Sequence, residues 1–192
     1  MVNSFLEAVI IEDEEPFCVR YTNTVAARRG SEPEEYFKSP GALRDWLVSQ
    51  SLLPSGVSFD EPSYRRGIEL RDSLYRIFSA IAAGNRAEPD DVDILNGELT
   101  EALAKIELTD QLEWTLSEGN PLEKAFMAVA LSAANLITSP LVGRIRECAN
   151  DTCGWIFVDR SKNRSRRWCS MSDCGNLEKA RRFQARKRES QS

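Results

Sequence analysis

The chain has no histidine. Without an imidazole there is no Ser-His-Asp or Cys-His catalytic set, no histidine-ligated catalytic zinc and no haem held by a proximal histidine. No stretch approaches the ~18 consecutive apolar residues of a membrane span. The opening Met1-Val2-Asn3-Ser4-Phe5-Leu6-Glu7 lacks the basic and apolar regions of an export signal. The expectation is a cytoplasmic protein that makes no use of a membrane. Also missing are a fixed-period repeat, a low-complexity run, a phosphate-cradling glycine loop and a nucleophile elbow. No pair of groups is placed for acid–base work, so the chain is expected not to be an enzyme.

What is present suffices for one hydrophobic core and a small appendage: 192 residues, 42% apolar and 29% charged. The net charge of -5 conceals a division. Residues 1–143 carry 12 Lys/Arg against 24 Asp/Glu, whereas residues 144–192 carry 13 against 6. A basic segment of this kind calls for an anionic partner, either an external one or the acidic part of its own chain. The cysteines follow the same division, with Cys18 alone in the first part and Cys148, Cys153, Cys169 and Cys174 in the second. The domains are accordingly placed at 1–140 and 141–192.

The fold class expected is α+β, with a mostly helical N-terminal domain and a small β-hairpin. Residues 16–27 read as a helix opened by Pro16, with a strand as the alternative because of their β-branched content. Ser39-Pro40 caps a helix carrying Leu43, Trp46 and Leu47. Residues 62–83 carry a stripe of Leu70, Leu74, Ile77, Phe78 and Ile81 that Gly84-Asn85 terminates. Pro89-Asp90-Asp91 starts another helix, with its acids where the helix dipole favours them. Residues 104–116 alternate as two short strands, with Ile106 and Leu108 in one and Leu112, Trp114 and Leu116 in the other. Pro121 opens a last helix through Phe126, Val129, Ala133 and Leu136. The acidic residues read mainly as solvated helix faces, and Cys18 as a small buried hydrophobe. Asn23, Thr24 and Arg71 are candidate ligand-binding residues. Capping and core hydrogen bonds are the competing use of the same side chains.

The strongest signal is Cys148-Ala-Asn-Asp-Thr-Cys153, then fifteen residues, then Cys169-Ser-Met-Ser-Asp-Cys174. Two cysteine pairs with a short connection suit one structural zinc ion held by four thiolates. Disulfides, a redox dithiol and an iron–sulfur cluster are the rivals. The missing export signal weighs against the first, and spacing against the other two. Gly154 and Gly175 follow the second cysteine of each pair, where positive φ and close approach to sulfur are expected. Trp155-Ile156-Phe157-Val158 reads as a strand whose partner is Arg166-Arg167-Trp168, and Asn176 as the cap of a helix over 177–189. The module is thus treble-clef-like. Four thiolates leave no open coordination position, so the zinc is structural, and chelation is expected to unfold 144–192 alone.

Along the last helix Lys179, Arg182, Arg186 and Lys187 share a face with Phe183. With Arg164, Arg166 and Arg167 they are candidate nucleic-acid contacts, the arginines for phosphate and Phe183 for stacking. The competing reading places Phe183 over the zinc module with basic stems packed around it.

These residues resemble the bacterial CGNR-type zinc finger proteins with an N-terminal ABATE domain. The zinc finger likeness rests on Cys148-Ala-Asn-Asp-Thr-Cys153-Gly154-Trp155, Phe157-Val158-Asp159, Arg166-Arg167-Trp168-Cys169-Ser170-Met171 and Cys174-Gly175-Asn176. A looser likeness covers Tyr21-Thr22-Asn23-Thr24-Val25, Ser39-Pro40, Leu43, Trp46-Leu47 and Leu70-Arg71-Asp72-Ser73-Leu74. The resemblance implies a transcription regulator that binds DNA through its zinc finger. Leu177 stands where the family motif has arginine, so a phosphate contact from that position is lost here. The function expected is DNA-binding transcription regulation, with the N-terminal domain as a small-molecule sensor or homodimerisation platform. The alternative is an adaptor whose basic zinc module docks on an acidic protein.

Overall fold

The structure, a computed structural model, describes residues 15–111, 114–116 and 120–189. Residues 1–7, read above for an export signal, and Leu112 of the second expected strand lie outside the described residues.

Residues 16–27 combine the two alternatives. Helix α1 (Phe17–Thr22) is one and a half turns long with nearly every side chain buried. It stops where Thr22 Oγ1 donates to Val19 O and Thr24 Oγ1 donates to Tyr21 O. These hydroxyls take carbonyls a longer helix would use. Strand β1 (Val25–Ala26) follows and pairs antiparallel with β2 (Glu34–Glu35). Helix α2 (Pro40–Ser49) starts as expected, with Ser39 Oγ accepting from Ala42 N at 3.2 Å.

Helix α3 (Glu61–Ala82) is the longest. Asp60 caps it, and Gly84 at φ +75° closes it as Asn85 N donates back to Ala80 O at 2.8 Å. Helix α4 (Pro89–Leu103) leads to β3 (Ile106–Leu108), which pairs antiparallel with β4 (Trp114–Leu116). Helix α5 (Pro121–Thr138) is buried on most sides, and its small Ala125, Ala128, Ala130 and Ala133 let neighbours approach closely. Helix α4 packs on both α3 and α5, and α1 packs on α3 and α5. No helix among the described residues is long and apolar enough to cross a membrane.

Two acids read as solvated faces are instead buried. Asp91 receives a bidentate Arg76 at 2.6 Å on Oδ1 and 3.0 Å on Oδ2, and Glu98 a bidentate Arg66 at 2.6 and 2.7 Å. A carboxylate leaves water at tolerable cost when a guanidinium fork meets both oxygens, and α3 supplies that fork at two points along α4.

The core does not end at residue 140. Strand β5 (Ile145–Glu147) pairs antiparallel with β6 (Ile156–Val158), and Ile145, Ile156 and Val158 are fully buried in the same cluster as Val19, Leu70, Phe78 and Val129. The expected pairing of 155–158 with 166–168 is therefore corrected. The ladder partner lies upstream of the first cysteine pair. The downstream arm is diverted because buried Asp159 accepts from both Ser161 N and Arg166 N, bending the chain into a turn. The last helix, α6 (Asn176–Glu189), continues from a single π turn, Met171–Gly175, whose cap is Ser170 rather than Asn176.

Candidate metal centre

The hairpin β5–β6 carries the first cysteine pair in its connection. Cys148 N donates to Trp155 O at 2.8 Å, extending the ladder by one rung, and the six-residue knuckle then turns on Asn150. The Asn150 side chain accepts from Thr152 N and Oγ1, while its carbonyl accepts from Cys153 N. Gly154 adopts φ +73°, and a Cβ there would come within 3.2 Å of Arg28 and Arg29 and 3.3 Å of the Tyr75 hydroxyl. Gly175 does not share that conformation. It is buried in the π turn, where a Cβ would sit 3.0 Å from Met171 Sδ. Met171 is exposed and its flexible thioether can give way, so Gly175 lacks the left-handed requirement that fixes glycine at position 154. The second cysteine pair is drawn in by Ala149 N donating to Arg167 O at 2.8 Å, and Cys174 lies on the π turn itself.

The four Sγ atoms of Cys148, Cys153, Cys169 and Cys174 all lie within 4.8 Å of one another. Cys153 and Cys169 are 3.7 Å apart, and Cys169 and Cys174 3.8 Å. A tetrahedron of thiolates at the Zn–S distance of about 2.3 Å has an edge of about 3.8 Å, so the donor set fits zinc in both chemistry and spacing. The sulfurs are too far apart for disulfide bonds. The electrostatics of the four sulfurs explain why a cation belongs there. Hydrogen bonds from the Cys153 and Cys169 thiols pull Cys148 far down, while that same hydrogen bonding to Cys148 pushes Cys153 and Cys169 up. Burial, with Cys153 next, pushes Cys174 up to about 12. Four crowded sulfurs cannot all ionise against one another, and a divalent cation removes that conflict. The protein therefore carries one structural zinc ion, held by these four cysteines.

Two arginines brace the site through backbone carbonyls. Arg29 donates to Cys148 O and Asn150 O, and Arg166 donates to Trp168 O and Cys169 O while lying 4.6 Å over the Phe157 ring. Zinc with four thiolates carries a net charge of -2, and these two guanidiniums oppose it. Further ties bind the knuckle to the helical part. Arg28 N donates to Cys153 O, Arg29 N to Thr152 O, and Trp155 Nε1 to Val25 O. Glu147 accepts from the Tyr75 and Ser79 hydroxyls and pairs with Arg29 at 3.5 Å.

The other expected site residues are placed as follows. Asn23 clamps the backbone of Ile156, and Thr24 caps α1. Arg71 is buried, bonded to Glu35 at 2.6 Å and Asp72 at 3.0 Å. Arg71 is thus remote in role from Asn23 and Thr24, which both border a cleft of about 320 Å3 between α1, α2 and the zinc module. Sequence reasoning missed Glu15, Trp46 and Trp155 as walls of this cleft. On the basic side, Arg164 is exposed at φ +50°, and Arg167 lies exposed with its guanidinium 5.0 Å from the Trp168 ring. Residues 179–188 of α6 are exposed throughout. Phe183 is 70% exposed and does not cover the zinc module.

The fold and the sulfur cluster agree with two family models. Residues 15–140, two thirds of the chain, match the ABATE family, described as "Putative stress-induced transcription regulator", and residues 144–187 match the CGNR zinc finger. The chain belongs to the ABATE family, with a C-terminal CGNR zinc finger, and is a zinc-binding protein of regulatory type. No curated protein matches it.

Proposed function

We propose that the protein regulates transcription by binding DNA through α6 and the surface around the zinc centre. The observation that carries this reading is a cationic helix presented to solvent from its first turn onward, entered through the π turn that holds the zinc ligand Cys174. Lys179, Arg181 and Arg186 have no ion-pair partner among the described residues, and Arg182 is held only by an exposed pair with Glu178 at 2.9 Å. An exposed i,i+4 pair is worth about 0.3–0.5 kcal/mol, so phosphate can displace it readily. Fourteen helical residues span about 21 Å, and exposed Phe183 adds an apolar surface for sugar or base. Arg166 is committed to the zinc module, which leaves Arg164 and Arg167, in the turn region after β6, as candidate phosphate contacts beside Lys179, Arg182, Arg186 and Lys187.

The test is fluorescence anisotropy of a labelled random-sequence duplex against the zinc-loaded full chain at several salt concentrations. Four or more phosphate contacts give a slope of log K on log salt of about -3.6 or steeper, at about -0.9 per contact. Arg186→Ala should lower the slope by about 1 while leaving zinc content unchanged. No binding at low salt by folded, zinc-loaded protein would transfer the basic helix to an acidic protein partner.

A further inference from the structure

The cleft between α1, α2 and the zinc module has the size of a small-molecule site and belongs to neither part alone. Its volume of about 320 Å3 falls in the range of ordinary ligand pockets. Tyr36 and Trp46 line it from the helical part, Trp155 and the zinc ligand Cys169 from the module, and Glu15 and Arg20 from the start of α1. Trp46 is fixed among Phe17, Tyr21 and Phe37 with ring centroids 5.5 Å away, and Trp155 is fixed through Nε1 on Val25 O. Two aromatic walls are therefore set before any ligand arrives, which spares the ordering cost of binding.

Glu15 and Arg20 are the charged side chains that line the cleft beside the zinc ligand Cys169, and Arg160 and Arg166 act on Glu15 from outside the lining. Burial pushes the Glu15 carboxyl up to about 7, against the lowering effect of the Val158 N–H it accepts and of Arg166, Arg160 and Arg20. Near neutral pH much of that acid is uncharged, which leaves Arg20 as the lining group able to meet an anion, while the net -2 of the zinc centre behind Cys169 is opposed by Arg29 and Arg166. Arg20 is steadied by donating to Glu15 O at 2.9 Å and by lying over the Phe17 ring.

We propose that this cleft binds a small aromatic carboxylate, its ring against Trp46 and Trp155 and its carboxylate toward Arg20. Because the walls come from both parts of the chain and reach Cys169, occupancy is coupled to how firmly the zinc module is seated on the helical body. The ligand is thus placed to modulate whatever the module binds. Glu15 opposes the ligand when ionised, so binding weakens as pH rises through about 7.

Calorimetric titration of the zinc-loaded full chain with benzoate, phenylacetate and indole-3-acetate, at pH 6 and pH 8, tests this directly. The expected result is saturable one-to-one binding of at least one acid. It should be about tenfold tighter at pH 6 than at pH 8, and about tenfold tighter than its neutral amide at pH 6. Glu15→Gln should bring the pH 8 affinity up to the pH 6 value. Gln50→Trp, which fills the cleft from the end of α2, should abolish binding while the zinc content and unfolding midpoint confirm the fold. No saturable binding of any acid overturns the proposal. So does equal affinity for acid and amide, or undiminished binding by the filled variant. DNA takes no part in the titration, so failure here and failure of the DNA-binding reading are separately visible.

Discussion

The side chain of Asn23 pairs with both backbone groups of Ile156, Nδ2 donating to the carbonyl at 2.8 Å and Oδ1 accepting from the N–H at 2.9 Å. An amide that mimics a strand residue thus joins the end of α1 to the zinc hairpin across 133 positions of sequence. Asn23→Ala leaves a buried donor and acceptor without partners, at about 1–3 kcal/mol each. Urea unfolding of the variant should show a midpoint shift equivalent to about 2–4 kcal/mol with an unchanged m-value. A shift below about 0.5 kcal/mol would show the clamp to be incidental.

Zinc removal should act on only part of the module. Strands β5 and β6 are held by the main core, by Asn23 and by Glu15, whereas the knuckle and the turn before α6 are held chiefly by the ligands. After chelation, amide hydrogen exchange should lose protection over 148–154 and 169–189 while the Ile156 and Val158 amides keep theirs. This differs from the unfolding of 144–192 as one block that the sequence suggests. Loss of protection at Ile156 and Val158 together with Cys153 would restore that simpler picture.

Gly67 lies in the middle of α3, where alanine is the better helix former by about 1 kcal/mol. Its close packing reverses the sign. A Cβ there would meet Leu43 Cδ2 at 2.6 Å, Phe126 Cε1 at 3.0 Å and Tyr21 Oη at 3.1 Å, and the Tyr21 hydroxyl already donates to Gly67 O at 2.8 Å. Gly67→Ala should cost about 1–3 kcal/mol by thermal unfolding. A stabilised variant would contradict the packing described.

Glu15 ties stability to pH. Its carboxyl titrates at about 7 in the fold against an ordinary value of 4.5, so the native state holds a proton that the unfolded chain releases first. Native stability from this group is present below about 4.5 and declines as pH rises to about 7, by up to about 3 kcal/mol in all. Glu15→Gln keeps an acceptor for Val158 N and carries no charge. Denaturation at pH 5.5 and pH 8 should show the substitution gaining about 1–3 kcal/mol relative to the native chain over that interval. A parallel response of the two proteins would remove Glu15 from the account.

How much of this was legible depended on sequence distance. The four metal ligands were readable because their spacing is local and their chemistry admits few uses. Ser39 as a cap, and Gly84-Asn85 as a terminator, were readable for the same reason. The partner of β6 was not. Arg166-Arg167-Trp168 looks as good a strand as Ile145-Arg146-Glu147 until Asp159 is seen binding the Arg166 N–H. Arg166 itself carries the same side chain whether it faces phosphate or braces Cys169 O. Asp91 and Glu98 looked solvated because their arginines lie 15 and 32 residues away on another helix. Glu15 carries no local mark at all, since its altered titration comes from burial that only the assembled fold creates.

Protein purified without added chelator should contain one zinc per chain, and X-ray absorption at the zinc edge should give four sulfur neighbours at about 2.3 Å and no nitrogen or oxygen. Substoichiometric metal in folded protein, or a first shell containing oxygen or nitrogen, would contradict the four-thiolate centre that positions the basic helix.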